Sequence, residues 1–258
     1  MTASRQETYY HVYRNRQSWL YHLAYMRLAK VLGVLHALER QGVDLQGKRV
    51  FDYGFGAGTF FRHCPRTALL FGVELDALHV ERVARSLRAK KYPHVDLRAI
   101  DEAGWRDHAL LVGRYNVVVA SHVLEHVKAP VELLKRLTDC VEPGGCLVAV
   151  LPINERVGHD SHEWVVDTRL VQDWAAAAGV EIIDAFEFDP FTYCALPVFE
   201  KRSRCGRVAA QGLSLFLGFC AAAIGRRGWL KLGGLVARST GAKPGQAVFT
   251  MQPVREKN

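Results

Sequence analysis

Apolar residues recur three and four apart between residues 16 and 40, where Trp19, Leu20, Leu23, Leu28, Val31, Leu32, Leu35 and Leu38 predict a helix. Gly42 and Gly47 then signal a turn. Beyond it, short apolar runs alternate with stretches of helical period. Strands are predicted at 48–54, 68–74, 95–100, 115–120, 144–152, 180–188 and 246–254. Residues 77–90 predict a helix with Leu78, Val83 and Leu87 inward, and Pro130 opens another. Asp167 and Gly179 bracket a third as N-cap and C-terminal stop. This alternation predicts an α/β fold, a seven-stranded and mostly parallel sheet with helices on both faces. Ligands bind such sheets at the carboxyl ends of the strands, which makes strand-end residues the first candidates.

Residues 190–245 interrupt the rhythm and are too many for a bare loop. The chain therefore divides into an N-terminal helical cap (1–46), a core (47–189), a helical insert (190–245) and a last strand with its tail (246–258). The insert also changes the charge picture. Nine Lys and Arg and no Asp or Glu lie between 201 and 243, so a chain of net charge +8 carries its whole excess there. Within it, 208–225 is almost wholly apolar. A helix crossing a bilayer between two strands of one sheet is excluded by topology. Two readings remain, a buried acceptor lid or a helix lying on an anionic membrane surface. The start of the chain lacks a basic stretch followed by an apolar run, and six scattered cysteines form no CxxC pair, so a cytoplasmic protein is expected, membrane-associated only under the second reading of the insert.

The densest chemical signal is Asp52-Tyr53-Gly54-Phe55-Gly56-Ala57-Gly58 at the end of the first predicted strand. Glycines allow a tight turn and close approach to a ligand. A dinucleotide fingerprint needs a third glycine or alanine where Thr59 stands. An acid two residues before the first glycine gives nothing to a pyrophosphate, but suits a ligand carrying a cation.

Asp52–Gly58 resembles motif I of the class I S-adenosylmethionine-dependent methyltransferases. Gly72-Val73-Glu74-Leu75-Asp76 is similar to that family's second motif. The likeness continues through Ile100-Asp101, the run Tyr115–Val127 with its Val123-Leu124-Glu125-His126-Val127, and Glu142-Pro143-Gly144-Gly145. It covers about 48–188, and is nearest to the enzymes of small molecules, quinones and sugars. The resemblance implies a Rossmann-like core that binds S-adenosyl-L-methionine. Asp52, Gly54, Gly56, Gly58, Glu74, Leu75, Asp101, Glu102 and Ser121 would be its binding residues, with Glu74 on the ribose hydroxyls and Asp101 on the adenine amino group. Asp76 is a ligand contact or a helix N-cap. Asn116 departs from the Asp common in the family, at the strand start away from the ligand end. The family's N-terminal segment folds over the cofactor, which would give Tyr9, Tyr10, His11 and Tyr13 a lid role beside a plain packing one.

Candidate proton acceptors are His122 at the fourth strand end and His159 and His162 in the loop after the fifth, with Glu163 beside them. His122 and His126, four apart, would share a face on a helix. His159-Asp160-Ser161-His162 is an incomplete ligand set, so no metal is assigned. The acceptor is expected to be small or lipid-linked, methylated on oxygen. Nucleic acid is disfavoured because Ser121-His122-Val123-Leu124 stands where enzymes of exocyclic amines carry [DN]-P-P-[YF], and oligomeric state is unassigned. The rivals are an aminopropyl transferase on the same fold and a binding protein or membrane scaffold without catalysis.

Overall fold

The strand-forming runs assemble into one sheet in the order β3-β2-β1-β4-β5-β7-β6. The computed structural model describes residues 22–101, 108–154, 162–194 and 204–254. Helix α1 (Tyr25–Arg40) precedes β1 (Arg49–Tyr53), β2 (Leu69–Glu74), α2 (Ala77–Ala89), β3 (His94–Ala99) and β4 (Tyr115–Ser121). Then come α3 (Pro130–Asp139), β5 (Val141–Pro152), α4 (Thr168–Ala178), β6 (Val180–Phe188), α5 (Pro190–Cys194), α6 (Arg204–Ile224), α7 (Arg226–Thr240) and β7 (Gln246–Pro253). Strands β1 to β5 pair in parallel, while β7 pairs antiparallel with β5 and β6.

Period-two alternation sorts the core onto two faces. Val117 and Val119 of β4, with Val148 and Val150 of β5, join α1 and α2 in one cluster. Val118 and Ala120, with Leu147, Ala149 and Leu151, join α3 and α4 in the other. α1 lies directly on the sheet, with Tyr25, Leu28, Val31, Val34 and Leu38 buried. α6 and α7 form a further layer on α1. Gly218 allows this contact, because a Cβ there would fall 1.8 Å from the Leu23 carbonyl oxygen.

Several sequence expectations are met and some are corrected. Asp167 accepts from the Leu170 amide at 2.7 Å, and Gly179 ends α4 with φ 68°. Asp76 caps α2 by accepting from the Leu78 amide. Leu78, expected inward, is 41% exposed, and the next residue, His79, takes the buried position on α2 instead. The Asn116 side chain accepts from the Arg49 amide at 2.9 Å and donates to Glu142 at 2.6 Å, tying β1, β4 and β5 at the end of the sheet opposite the candidate site. The insert is more than its apolar run: α6 stops at Gly225 (φ 76°) and a second long helix, α7, follows.

Candidate active site

Strand order reverses between β1 and β4, and the glycine loop leaves β1 at that switch point. Gly54, Gly56 and Gly58 all adopt positive φ (72°, 53° and 69°), which a side chain would strain. Their surroundings differ. A Cβ on Gly58 would lie 2.5 Å from Val83 of α2, whereas one on Gly56 would meet open space. The loop is thus packed on its helix side and open where a ligand can approach.

Two acids adjoin it. Glu74, at the end of β2, accepts from the Gly56 amide at 2.6 Å and the Leu75 amide at 2.8 Å. Burial raises its carboxyl above the usual range, and those backbone donors oppose the rise. Asp52 is 4% exposed and is pushed well above the ordinary carboxyl range, first by burial and then by Glu74. A buried and a half-buried acid that repel form a place that a cation stabilises. Leu75 is 44% exposed at the rim, and Asp101 is exposed just past β3, whose following Ile100 amide bonds the Glu74 carbonyl at 3.0 Å. Ser121 ends β4 with a buried hydroxyl that has no hydrogen-bond partner among the described residues. Glu102, His159 and the aromatic cluster Tyr9, Tyr10, His11 and Tyr13 lie outside the described residues.

At the end of β4 the chain turns sharply. His122 takes φ 55°, a left-handed conformation uncommon for a residue with a side chain, and is held there by its amide bond to the Val150 carbonyl at 2.8 Å. His122 and His126 therefore do not share a helix. Only Leu124–His126 forms one short 3-10 turn, and both imidazoles approach Glu125 instead, His122 Nδ1 at 3.4 Å and His126 Nε2 at 3.9 Å. The His162 loop is pinned to the same turn, because Glu163 and Trp164 donate backbone amides to the Glu125 carbonyl and the Trp164 indole donates to the Val127 carbonyl at 2.9 Å. This brings the His162 ring to 4.7 Å from that of His126. One nitrogen of each and a Glu125 oxygen lie within 4.8 Å of one another. Ligands about 2.0 Å from a tetrahedral zinc would sit about 3.3 Å apart, so the trio is looser than a formed metal centre.

Sequence reading missed the residues that orient His122. Gln246, opening β7, donates to Asp189 Oδ2 at 2.6 Å, so its amide oxygen faces His122 Nε2 at 3.3 Å. That oxygen can only accept, so a neutral His122 donates from Nε2, which sets Nδ1 against the Glu125 carboxyl. Burial, then the nearby Lys30, holds His122 well below the ordinary histidine range, with the Gln246 bond opposing. The imidazole is neutral at pH 7. Asp189, itself at φ 64°, also accepts from Tyr25 Oη at 2.7 Å, and the Trp229 indole donates to that oxygen at 3.1 Å. Lys30 of α1 was also missed: burial and Arg27 bring its ammonium down to about 7, against the attraction of Glu125. A lysine inside an apolar helical stretch was its only sequence signal. His22 is a third addition, hydrogen bonded through Nδ1 to the Thr59 hydroxyl at 3.0 Å, which ties the segment before α1 to the glycine loop.

Residues 23–188 match the family model described as a methyltransferase domain. The chain belongs to that family. The methyltransferase fold is shared with solved structures of low identity. A putative sarcosine dimethylglycine methyltransferase from Galdieria sulphuraria superposes with a TM-score of 0.59 at 13% identity, covering 90% of this chain and 86% of that one. A SAM-dependent methyltransferase from Geobacter sulfurreducens, in complex with S-adenosyl-L-homocysteine, gives 0.52 at 16% identity over 87% and 90%. The [4+2]-cyclase SpnF gives 0.56 at 20% identity over 88% and 82%. This methyltransferase is a class I enzyme whose methyl donor is S-adenosylmethionine. The site fits that donor on its own terms: an open glycine loop, a buried and a half-buried acid for a cationic ligand, and a Ser121 hydroxyl unpartnered among the described residues.

Proposed function

We propose that the enzyme methylates a hydroxyl group of a small or lipid-linked acceptor, and that His122 takes the acceptor's proton. Asp52, the loop of Gly54, Gly56 and Gly58, Glu74, Leu75, Asp101, Glu102 and Ser121 are the donor-binding residues in this reading. Glu74 has two oxygens already directed at N–H donors, the geometry a ribose diol needs from a carboxylate. S-adenosylmethionine supplies a methyl group on a sulfonium that is already activated for in-line displacement. The protein's work is then positioning, plus removal of one proton when the nucleophile carries it.

The observation that carries the reading is His122. It stands at the end of β4, strained into position, with burial favouring the neutral ring, Nε2 held by Gln246 and Nδ1 beside the Glu125 carboxyl, which would stabilise the imidazolium that forms. His162 and His126 line the same turn and would contact the acceptor. Hydroxylated aromatic, sugar and polyprenyl-linked compounds can be screened for release of S-adenosylhomocysteine. With an accepted substrate, His122→Gln is expected to lower kcat about 100-fold or more while leaving donor affinity unchanged. Unchanged kcat would remove the base role. Transfer to amines alone would replace the hydroxyl acceptor with a nitrogen one.

A further inference from the structure

The outward faces of α6 and α7 differ from the rest of the surface. α6 buries Ala210, Ser214, Gly218 and Ala221, spaced four, four and three apart, with the Ser214 hydroxyl accepting from the Tyr25 amide at 3.0 Å. The opposite stripe has the same spacing and points to solvent: Val208, Gly212, Phe216 and Phe219, followed by Ala223. It has no charged residue, yet Val208 is 65% and Phe216 62% exposed. α7 repeats the arrangement with different chemistry. Trp229 and Gly233 face inward and Arg227 pairs with Glu39 of α1, while Lys231, Leu235 and Arg238 form the exposed stripe. The inner side of α6 packs on α1, and that of α7 on α1, α5 and β6, so both exposed stripes face away from the sheet.

We propose that this helix pair docks on an anionic lipid surface, with the α6 stripe entering the headgroup boundary and the α7 cations, with Leu235 among them, resting on the phosphates. Charge decides the occupant. The segment 201–243 holds nine cations and no acid, which a lipid surface of negative potential attracts and a second copy of the same basic surface repels. The helices lie along the interface. Among the described residues no helix is long and apolar enough to cross a membrane, and α6 and α7 are fixed between β6 and β7 of one sheet. An amphipathic helix of this kind buries only its apolar face. The proposal is independent of the acceptor's identity.

Flotation of the full chain with phosphatidylcholine vesicles containing phosphatidylserine tests it, against phosphatidylcholine alone. Wild type should float with the anionic vesicles and be released by salt. Phe216→Asp should abolish flotation. Removing both cations in Lys231→Gln/Arg238→Gln should weaken partitioning roughly 30-fold, at about fivefold per cation. Circular dichroism and S-adenosylhomocysteine binding establish that each variant is folded. Absence of wild-type flotation overturns the proposal, as does unchanged flotation of either folded variant. Sedimentation showing a dimer that Phe216→Asp dissociates would assign the stripe to a second copy and also overturn it.

Discussion

Replacing Asp189 by alanine should both destabilise the fold and loosen His122. The Asp189 side chain is 4% exposed and accepts from three side chains: Tyr25 Oη at 2.7 Å, Gln246 Nε2 at 2.6 Å and the Thr192 hydroxyl. It also accepts from the Phe191 and Thr192 amides at 3.1 Å each. Alanine offers none of these acceptors, and the donors sit where water is excluded. A buried donor left unmet costs about 1–3 kcal/mol. Tyr25 keeps its bond from Trp229, and part of the cavity can hydrate, so the three side chains together should lose about 3–5 kcal/mol. Urea unfolding monitored by circular dichroism measures this as a drop in midpoint at constant slope. Gln246, released, can rotate its amide, so the His122 tautomer is no longer enforced and kcat should fall while donor affinity holds. A loss below about 1 kcal/mol, with kcat unchanged, would refute the claim that this network supports both the fold and the site.

Other expectations follow from the same geometry. Glu74→Gln should weaken S-adenosylhomocysteine binding roughly 30- to 150-fold, the equivalent of about 2–3 kcal/mol for hydrogen bonds to a charged acceptor, as read by calorimetry. Gly58→Ala should cost about 1–3 kcal/mol, because it combines a strained φ of 69° with a Cβ 2.5 Å from Val83; Val83→Ala in the same chain should restore the steric part only, leaving the backbone part in the urea midpoint. Stability should fall as pH drops from 7 towards 5. Burial lowers His22 (to about 4), His36, His63, His108 and His122 below the unfolded value near 6.5, so each contributes fully above that value and loses its contribution as pH falls towards its folded value. The urea midpoint across pH 5–8 tests this, and His122→Gln should flatten its slope; a midpoint that rises on acidification would contradict the assignment.

The elements of the core were readable because each announces itself locally. The apolar run before Gly54, the Pro130 start, the Asp167 cap and the Gly179 stop are consequences of backbone geometry that neighbouring residues satisfy. The positions of the candidate donor residues were readable for the same reason: they sit at successive strand ends in chain order. The acceptor end was not. Gln246, Asp189, Tyr25 and Trp229 reach His122 from four separate elements, and no spacing links residues more than fifty apart. The helical reading of His122 and His126 failed because four-residue spacing carries meaning only in a helix, and φ 55° at His122 breaks one. Likewise, the second helix of the insert stayed hidden because Gly228, Gly233 and Gly234 weaken its helical signal, whereas packing of Trp229 against Tyr25 and Phe191 holds it in place.

The central claim is that the β1 loop and the acids beside it hold S-adenosylmethionine. Isothermal titration of the full chain with S-adenosylmethionine and with S-adenosylhomocysteine measures it directly. Saturable binding of one ligand per chain is expected for both compounds, weakened by Glu74→Gln without loss of fold. Absence of binding by either compound to folded wild-type protein would contradict it.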